Sequence, residues 1–174
     1  FKVFADTAND VHGRVVALRF PNGCELSRKQ IDMYTEFASK HGAKGLPYIK
    51  VKDLKAGLDG LQSSILKFLS EDIVKNILKE VNAKDGDIIF FGADDKHIVN
   101  EAMGALRLQL AEDHDLFECE WAPLWVTDFP MFEYKNDRWQ ALHHPFTAPK
   151  VNDLKEIEKN PGECLSRAYD MVLN

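Results

Sequence analysis

The stretch "LSRKQID", residues 26–32, constrains this chain more than any other. Ser27 followed by Gln30 has the S-x-x-Q spacing of a capping box, in which two residues satisfy each other's backbone amides where a helix begins. Ile31, Tyr34, Ala38 and His41 then recur at helical spacing, and Gly42 is suited to end the helix. Strands flank it on both sides. "RVVALRF", residues 14–20, is closed by the turn signal "PNG". "LPYIKV", residues 46–51, alternates, with Ile49 and Val51 on one face and Tyr48, Lys50 and the following Lys52 on the other.

A second passage repeats the arrangement. Ser70 is placed to cap a helix in which Ile73, Ile77 and Val81 recur every fourth residue, flanked by Val74 and Leu78. "DGDIIFFGADD", residues 85–95, reads as a turn, a short buried strand and another turn. A helix from about Lys96 to Glu112 follows, with Ile98, Ala102, Met103, Leu106 and Leu110 as its apolar stripe. Strands and helices alternate, but the strands are few and short. The expected class is therefore α+β, a two-layer sandwich of a small mixed or antiparallel sheet and helices, rather than a doubly wound sheet.

The texture changes at Pro123, after the acidic "AEDHDLFECEWAP". "LWVTDF" and "RWQALHH" are predicted to form a hairpin across the polar turn "EYKNDR". A short helix is expected over "NDLKEIEK", and "AYDMVL" reads as a strand with no partner after it. Three strands in some fifty residues are too few for a core of their own, so this part is expected to lean on structure outside the chain.

At 174 residues and 45% hydrophobic, the chain can bury one sizeable core with a smaller annexe. No run approaches the roughly 18 apolar residues of a membrane span. "FKVFADTAND" lacks the basic and apolar regions of a secretory leader, and Phe1 in place of methionine suggests a segment cut from a longer chain. Three widely spaced cysteines, Cys24, Cys119 and Cys164, argue against a disulfide framework or zinc ribbon and for a reducing, cytoplasmic setting. The net charge of −6 is uneven: residues 1–60 carry 10 Lys/Arg against 7 Asp/Glu, residues 61–122 carry 6 against 13, and residues 123–174 carry 6 against 8. Neither a DNA-binding nor a membrane-surface protein is expected from that balance, and any RNA contact must be local.

Several chemistries are set aside by spacing. "GLDGLQSSILKFL", residues 57–69, lacks the order of a phosphate-binding loop, and "FFGADD" has one glycine where a dinucleotide fingerprint has three. No nucleophile motif surrounds Ser63, Ser64 or the cysteines. Asp128 and Glu133, weighed as paired carboxylates, are five apart with Pro130 between them, which sets them on opposite faces of a regular strand. His143 and His144 are the sharpest local feature. Adjacent strand residues point opposite ways, so the pair cannot hold one metal, and no metal site is expected. One histidine donating to an anionic ligand while the other holds structure stays open beside two structural histidines. Tyr48, Lys50 and Lys52, with Lys44 nearby, combine a ring and cations in the way RNA contacts do, and a plain solvated strand face has the same pattern.

Taken in order, "LSRKQID", "GAKGLPYIKV", "GLDGLQSSILKFL", "DGDIIFFGADDKHIVNEAMGALR", "WAPLWVTDFPMFE" and "HHPFTAPK" resemble bacterial-type aspartyl-tRNA synthetases across nearly the whole chain. The resemblance implies a lead-in segment over residues 1–12, a GAD-like insertion domain over 13–120, and part of the class II catalytic domain over 121–174. It implies that His143 and His144 border the pocket for aspartate and its adenylate, and that the parent joins aspartate to tRNA with ATP and magnesium. Lys44, Tyr48, Lys50 and Lys52 become candidate tRNA contacts beside the acceptor arm. The class II motifs 1, 2 and 3 are absent, "GLDG" at 57–60 only mimicking the end of the third, as is an anticodon-reading OB-fold. The isolated chain is thus expected to have no catalytic residues, cofactor or aminoacylation activity of its own. The parent is expected to be a homodimer, which is not implied for this segment. A tRNA-dependent amidotransferase subunit sharing the insertion is the alternative parent, and a purely structural or interaction module is the alternative role.

Overall fold

The computed structural model describes residues 2–173, with side chains from Phe4 to Leu173; the expectation attached to Phe1 lies outside the described residues. The chain divides into two units, Phe1–Phe117 and Glu118–Asn174.

The first unit contains α1 (Lys2–Asn9), β1 (Gly13–Phe20), α2 (Arg28–Lys40), β2 (Tyr48–Val51), β3 (Leu61–Gln62), α3 (Glu71–Glu80), β4 (Ile88–Asp95) and α4 (Lys96–Asp113). The capping box opens α2 as its spacing requires. Ser27 Oγ accepts the Gln30 amide at 3.3 Å while Gln30 Oε1 accepts the Ser27 amide at 2.9 Å. Ser70 likewise accepts the Ile73 amide at the start of α3.

The sheet runs β1-β4-β2-β3, antiparallel throughout. β4 is central because both alternating sets of its side chains are apolar. Ile88 and Phe90 pack on one face, Ile89 and Phe91 on the other, and none is more than 1% exposed. Burial of each such side chain contributes about 1.5–3 kcal/mol. On the first face α2 and α4 supply Ile31, Tyr34, Ala38, Met103 and Leu106. On the second, Val74 of α3 joins Ile49, Val51, Leu61 and Ile65, with Phe4 of α1 packed against them. The α+β class and antiparallel sheet are those expected. The two-layer description covers the α2/α4 side, and the second face of the sheet is packed as well, because β4 is apolar at every position from Ile88 to Phe91.

The buried stripe of α4 is Val99, Ala102, Met103, Leu106 and Leu110, with Val99 taking the place expected for Ile98. Gly92 of β4 faces Met103 of α4. A Cβ at that position would lie 2.7 Å from Met103 Cγ and 2.9 Å from its Sδ, so any larger residue would have to displace the Met103 side chain.

The second unit holds β5 (Pro123–Thr127), β6 (Phe132–Lys135), β7 (Arg138–Ala141), α5 (Lys155–Lys159) and β8 (Tyr169–Leu173). Its strand pairing corrects the sequence expectation. The hairpin joins β6 to β7 through Asn136 and Asp137, not "LWVTDF" to "RWQALHH", and β8, expected to be unpaired, pairs antiparallel with β5. Asn136 and Asp137 both have positive φ, 53° and 59°, the requirement of a two-residue type I′ turn. That turn recruits only residues 132–141. β5 is cut off from the hairpin at Asp128, whose φ is 60°, and at Pro130. The β5–β8 ribbon leaves Leu124, Trp125, Tyr169, Met171 and Leu173 each more than half exposed.

Candidate functional site

In the second unit the loop after β7 carries the histidine pair. His143 is half-buried, its ring edge-on to Phe129, and its Nε2–H donates to the Pro130 carbonyl at 3.1 Å. His144 is exposed and accepts the Phe146 amide on Nδ1 at 3.3 Å. A ring nitrogen that accepts from an amide carries no proton, so in the neutral ring the proton sits on Nε2 of His144. The two histidines therefore differ: one donor is committed to backbone, and the other faces outward.

The same unit has a cleft of about 400 Å³ lined by Asp128, Lys150, Ser166, Arg167 and Tyr169 among others. Lys150 binds the Asp128 carboxylate, and that contact holds the Asp128 carboxyl below the usual carboxylate range. Arg167 projects exposed at the same cleft while its backbone amide donates to the Ala148 carbonyl at 2.9 Å. Ser166, 1% exposed, ties the cleft wall to the strand break through its amide and the Phe129 carbonyl, 2.7 Å apart. Two cations against one acid make this cleft receptive to an anion. Sequence reasoning missed Arg167 and Ser166, since neither sits in a recognisable spacing; Lys150 closes the quoted "HHPFTAPK" without standing out there. The histidine rings do not line this cleft. Glu133 stands opposite Gln140 in the hairpin and shares no partner with Asp128.

In the first unit the four candidate RNA-contact residues have different fates. Tyr48 packs on the first core with its ring 6.4 Å from that of Phe90. Lys50 is half-buried and donates to the Cys24 and Leu26 carbonyls at 2.8 and 2.7 Å. Lys44 keeps 82% of its side chain exposed while its Nζ lies 2.8 Å from Asp94 Oδ2 and donates to Oδ1 at 3.2 Å. Oδ2 is itself buried and outside good hydrogen-bond alignment, so that contact is ionic rather than directional. The Lys44 hydrogen bond, with the Asp95 amide, lowers the Asp94 pKa against the opposing effect of burial. Lys52 is exposed beside the end of β2. Tyr48 and Lys50 are thus half-buried and engaged with the fold, while Lys44 and Lys52 are exposed.

Among the described residues, no three His, Cys, Asp or Glu side chains converge as a metal site, and no helix is long and apolar enough to cross a membrane. Residues 4–103 match the family described as the GAD domain.

Proposed function

Because the chain belongs to the GAD domain family, we propose that it is the insertion domain of an aspartate-tRNA ligase followed by part of that enzyme's catalytic sheet. The family match over residues 4–103 carries this reading as far as a tRNA-synthetase-associated insertion domain. Aspartate as the amino acid rests on the resemblance of the six sequence blocks. The second unit supports it: a two-stranded ribbon exposed on both faces is marginal alone and suits strands that belong to a larger sheet.

In this reading ATP and magnesium serve the parent's adenylate-forming step. Among the described residues no three His, Cys, Asp or Glu side chains converge, and the Asp128 carboxylate is held by Lys150. What this segment contributes is recognition. His144, with an outward Nε2–H, is the member of the pair suited to donate to a substrate carboxylate, and His143 fixes the loop by its bond to Pro130. Lys44 and Lys52 are the surface cations suited to tRNA phosphates, whereas Lys50 acts through the fold.

The test is made on the full-length parent enzyme. Aspartate-dependent ATP–pyrophosphate exchange is expected, and glutamine-dependent amidation of a misacylated tRNA in its place would assign the chain to an amidotransferase subunit. Lys52→Ala is expected to raise the Michaelis constant for tRNA several-fold with kcat unchanged. Normal tRNA kinetics in both Lys52→Ala and Lys44→Ala would favour a structural module.

A further inference from the structure

Strand β1 is an edge of the four-stranded sheet, and its eight residues contain neither proline nor lysine. Its register with β4 runs without a bulge from Gly13↔Asp95 to Phe20↔Ile88. Edges of this kind pair readily with another chain unless they are blunted or covered. Among the described residues, no backbone hydrogen bond reaches the outer side of β1 between Arg14 and Phe20.

Helix α4 runs beside that edge in the same direction as the strand: Arg14 donates to Asn100 at one end, 2.5 Å away, and the Phe20 ring meets His114 at the other. Between strand and helix lies a groove of about 200 Å³ with Val16, Leu18, Val99 and Met103 as an apolar floor. Asn100, Gly104 and Arg107, spaced i, i+4, i+7, make its helical wall. Gly104 has no internal reason to be glycine. A Cβ there would meet nothing within 4 Å, yet glycine inside a helix costs about 1 kcal/mol relative to alanine. Its effect is to lower the wall midway along the groove. The two guanidinium groups mark the ends, Arg14 held by Asn100 and Arg107 exposed. Four strand residues span roughly 13 Å and seven helical residues roughly 10 Å, so Arg107 falls near the Leu18 end.

We propose that this groove binds an extended acidic peptide segment of a protein partner, with the pattern acidic-x-apolar-x-acidic, added as a fifth strand along β1. Side chains at alternate positions of such a strand face α4 together. The central apolar residue rests on Val16, Leu18 and Met103 beneath Gly104, and the flanking carboxylates meet Arg14 and Arg107. Backbone pairing supplies affinity and the three side chains supply selectivity. RNA suits the groove less well, because no aromatic ring lines it for base stacking. The site is separate from Lys44 and Lys52 and does not depend on the ligase reading.

The experiment pans a displayed random nonapeptide library on the whole chain and measures enriched peptides by fluorescence anisotropy. The expected result is enrichment of the acidic-x-apolar-x-acidic pattern, at least tenfold weaker binding to Gly104→Gln and to Arg107→Glu, and slowed amide exchange in β1 on peptide addition. Gly104→Gln replaces a helix-disfavoured residue at an open position, so its fold is retained and circular dichroism verifies this. Enrichment without that pattern, or peptides that bind both variants like the parent chain, overturns the proposal. So does a single-stranded RNA 12-mer that binds with the same sensitivity to Arg107→Glu while the peptides do not.

Discussion

Arg19 Nε donates to Asp87 Oδ2 across 2.5 Å, with the carboxylate 2% exposed and the arginine side chain 22%. The same carboxylate accepts the amides of Asn22 at 3.2 Å and Lys84 at 2.8 Å, and the Asp87 carbonyl accepts the Val51 amide at 2.8 Å. One residue thereby joins the end of β1, the turn after α3 and strand β2.

Breaking a buried pair leaves an uncompensated charge, and here it also strands two amides, so Asp87→Ala is expected to destabilise the first unit by about 3–5 kcal/mol. Urea unfolding followed by far-UV circular dichroism reads the loss. All three tryptophans, Trp121, Trp125 and Trp139, lie in the second unit, so the fluorescence transition is expected to stay in place.

Lys50 and Lys52 are two residues apart and opposite in consequence. Lys50→Met removes charge-assisted bonds to the Cys24 and Leu26 carbonyls, and a loss of about 2 kcal/mol is expected. Lys52→Ala at an exposed position is expected to stay within about 0.5 kcal/mol of the parent. Equal urea midpoints for the two variants would contradict the placement of Lys50.

Tyr34 donates to Asp113 at 2.8 Å from a buried position, and burial followed by that bond raises its pKa well above the ordinary tyrosine value. The folded state thus keeps a proton that the unfolded chain releases. Stability is intact below about pH 10, the unfolded tyrosine value, and falls as pH rises beyond it. Ultraviolet titration is expected to show one of the four tyrosines ionising only as the fold is lost, and Tyr34→Phe is expected to remove that alkaline dependence.

The Asn136–Asp137 turn holds two non-glycine residues at positive φ. Asp137→Gly relieves one of them, and a gain of about 0.5–1 kcal/mol in the second unit is expected. Trp139 in β7 reports the change directly by fluorescence in a urea titration.

Local signals were legible where the physics is local. The Ser27–Gln30 box, the Ser70 cap, the alternation of Ile49 and Val51, and the span of α4 each depend on residues within one turn or one strand. The hairpin was misjudged because "LWVTDF" looks like a strand whichever partner it takes. Its true partner, β8, begins more than forty residues later. The candidate site divides the same way. His143 and His144 stand out as adjacent rings, but only the Pro130 carbonyl and the Phe146 amide make one inward and one outward.

By itself, the order of residues determined where α2 and α3 start, that β4 is apolar, and the α+β class, because caps and periodicity are short-range properties, and its blocks carried the resemblance to the GAD domain family matched over residues 4–103. Tertiary structure alone decided that Lys50 binds the Cys24 and Leu26 carbonyls while Lys52 faces solvent, that Asp87 ties three segments together, and that β1 and α4 enclose a groove. The contacts that decide this join groups far apart in the chain, such as Lys50 with Leu26, Arg19 with Asp87 and Arg14 with Asn100. Such contacts arise only when burial of the two cores brings distant backbone and side chains within hydrogen-bonding reach.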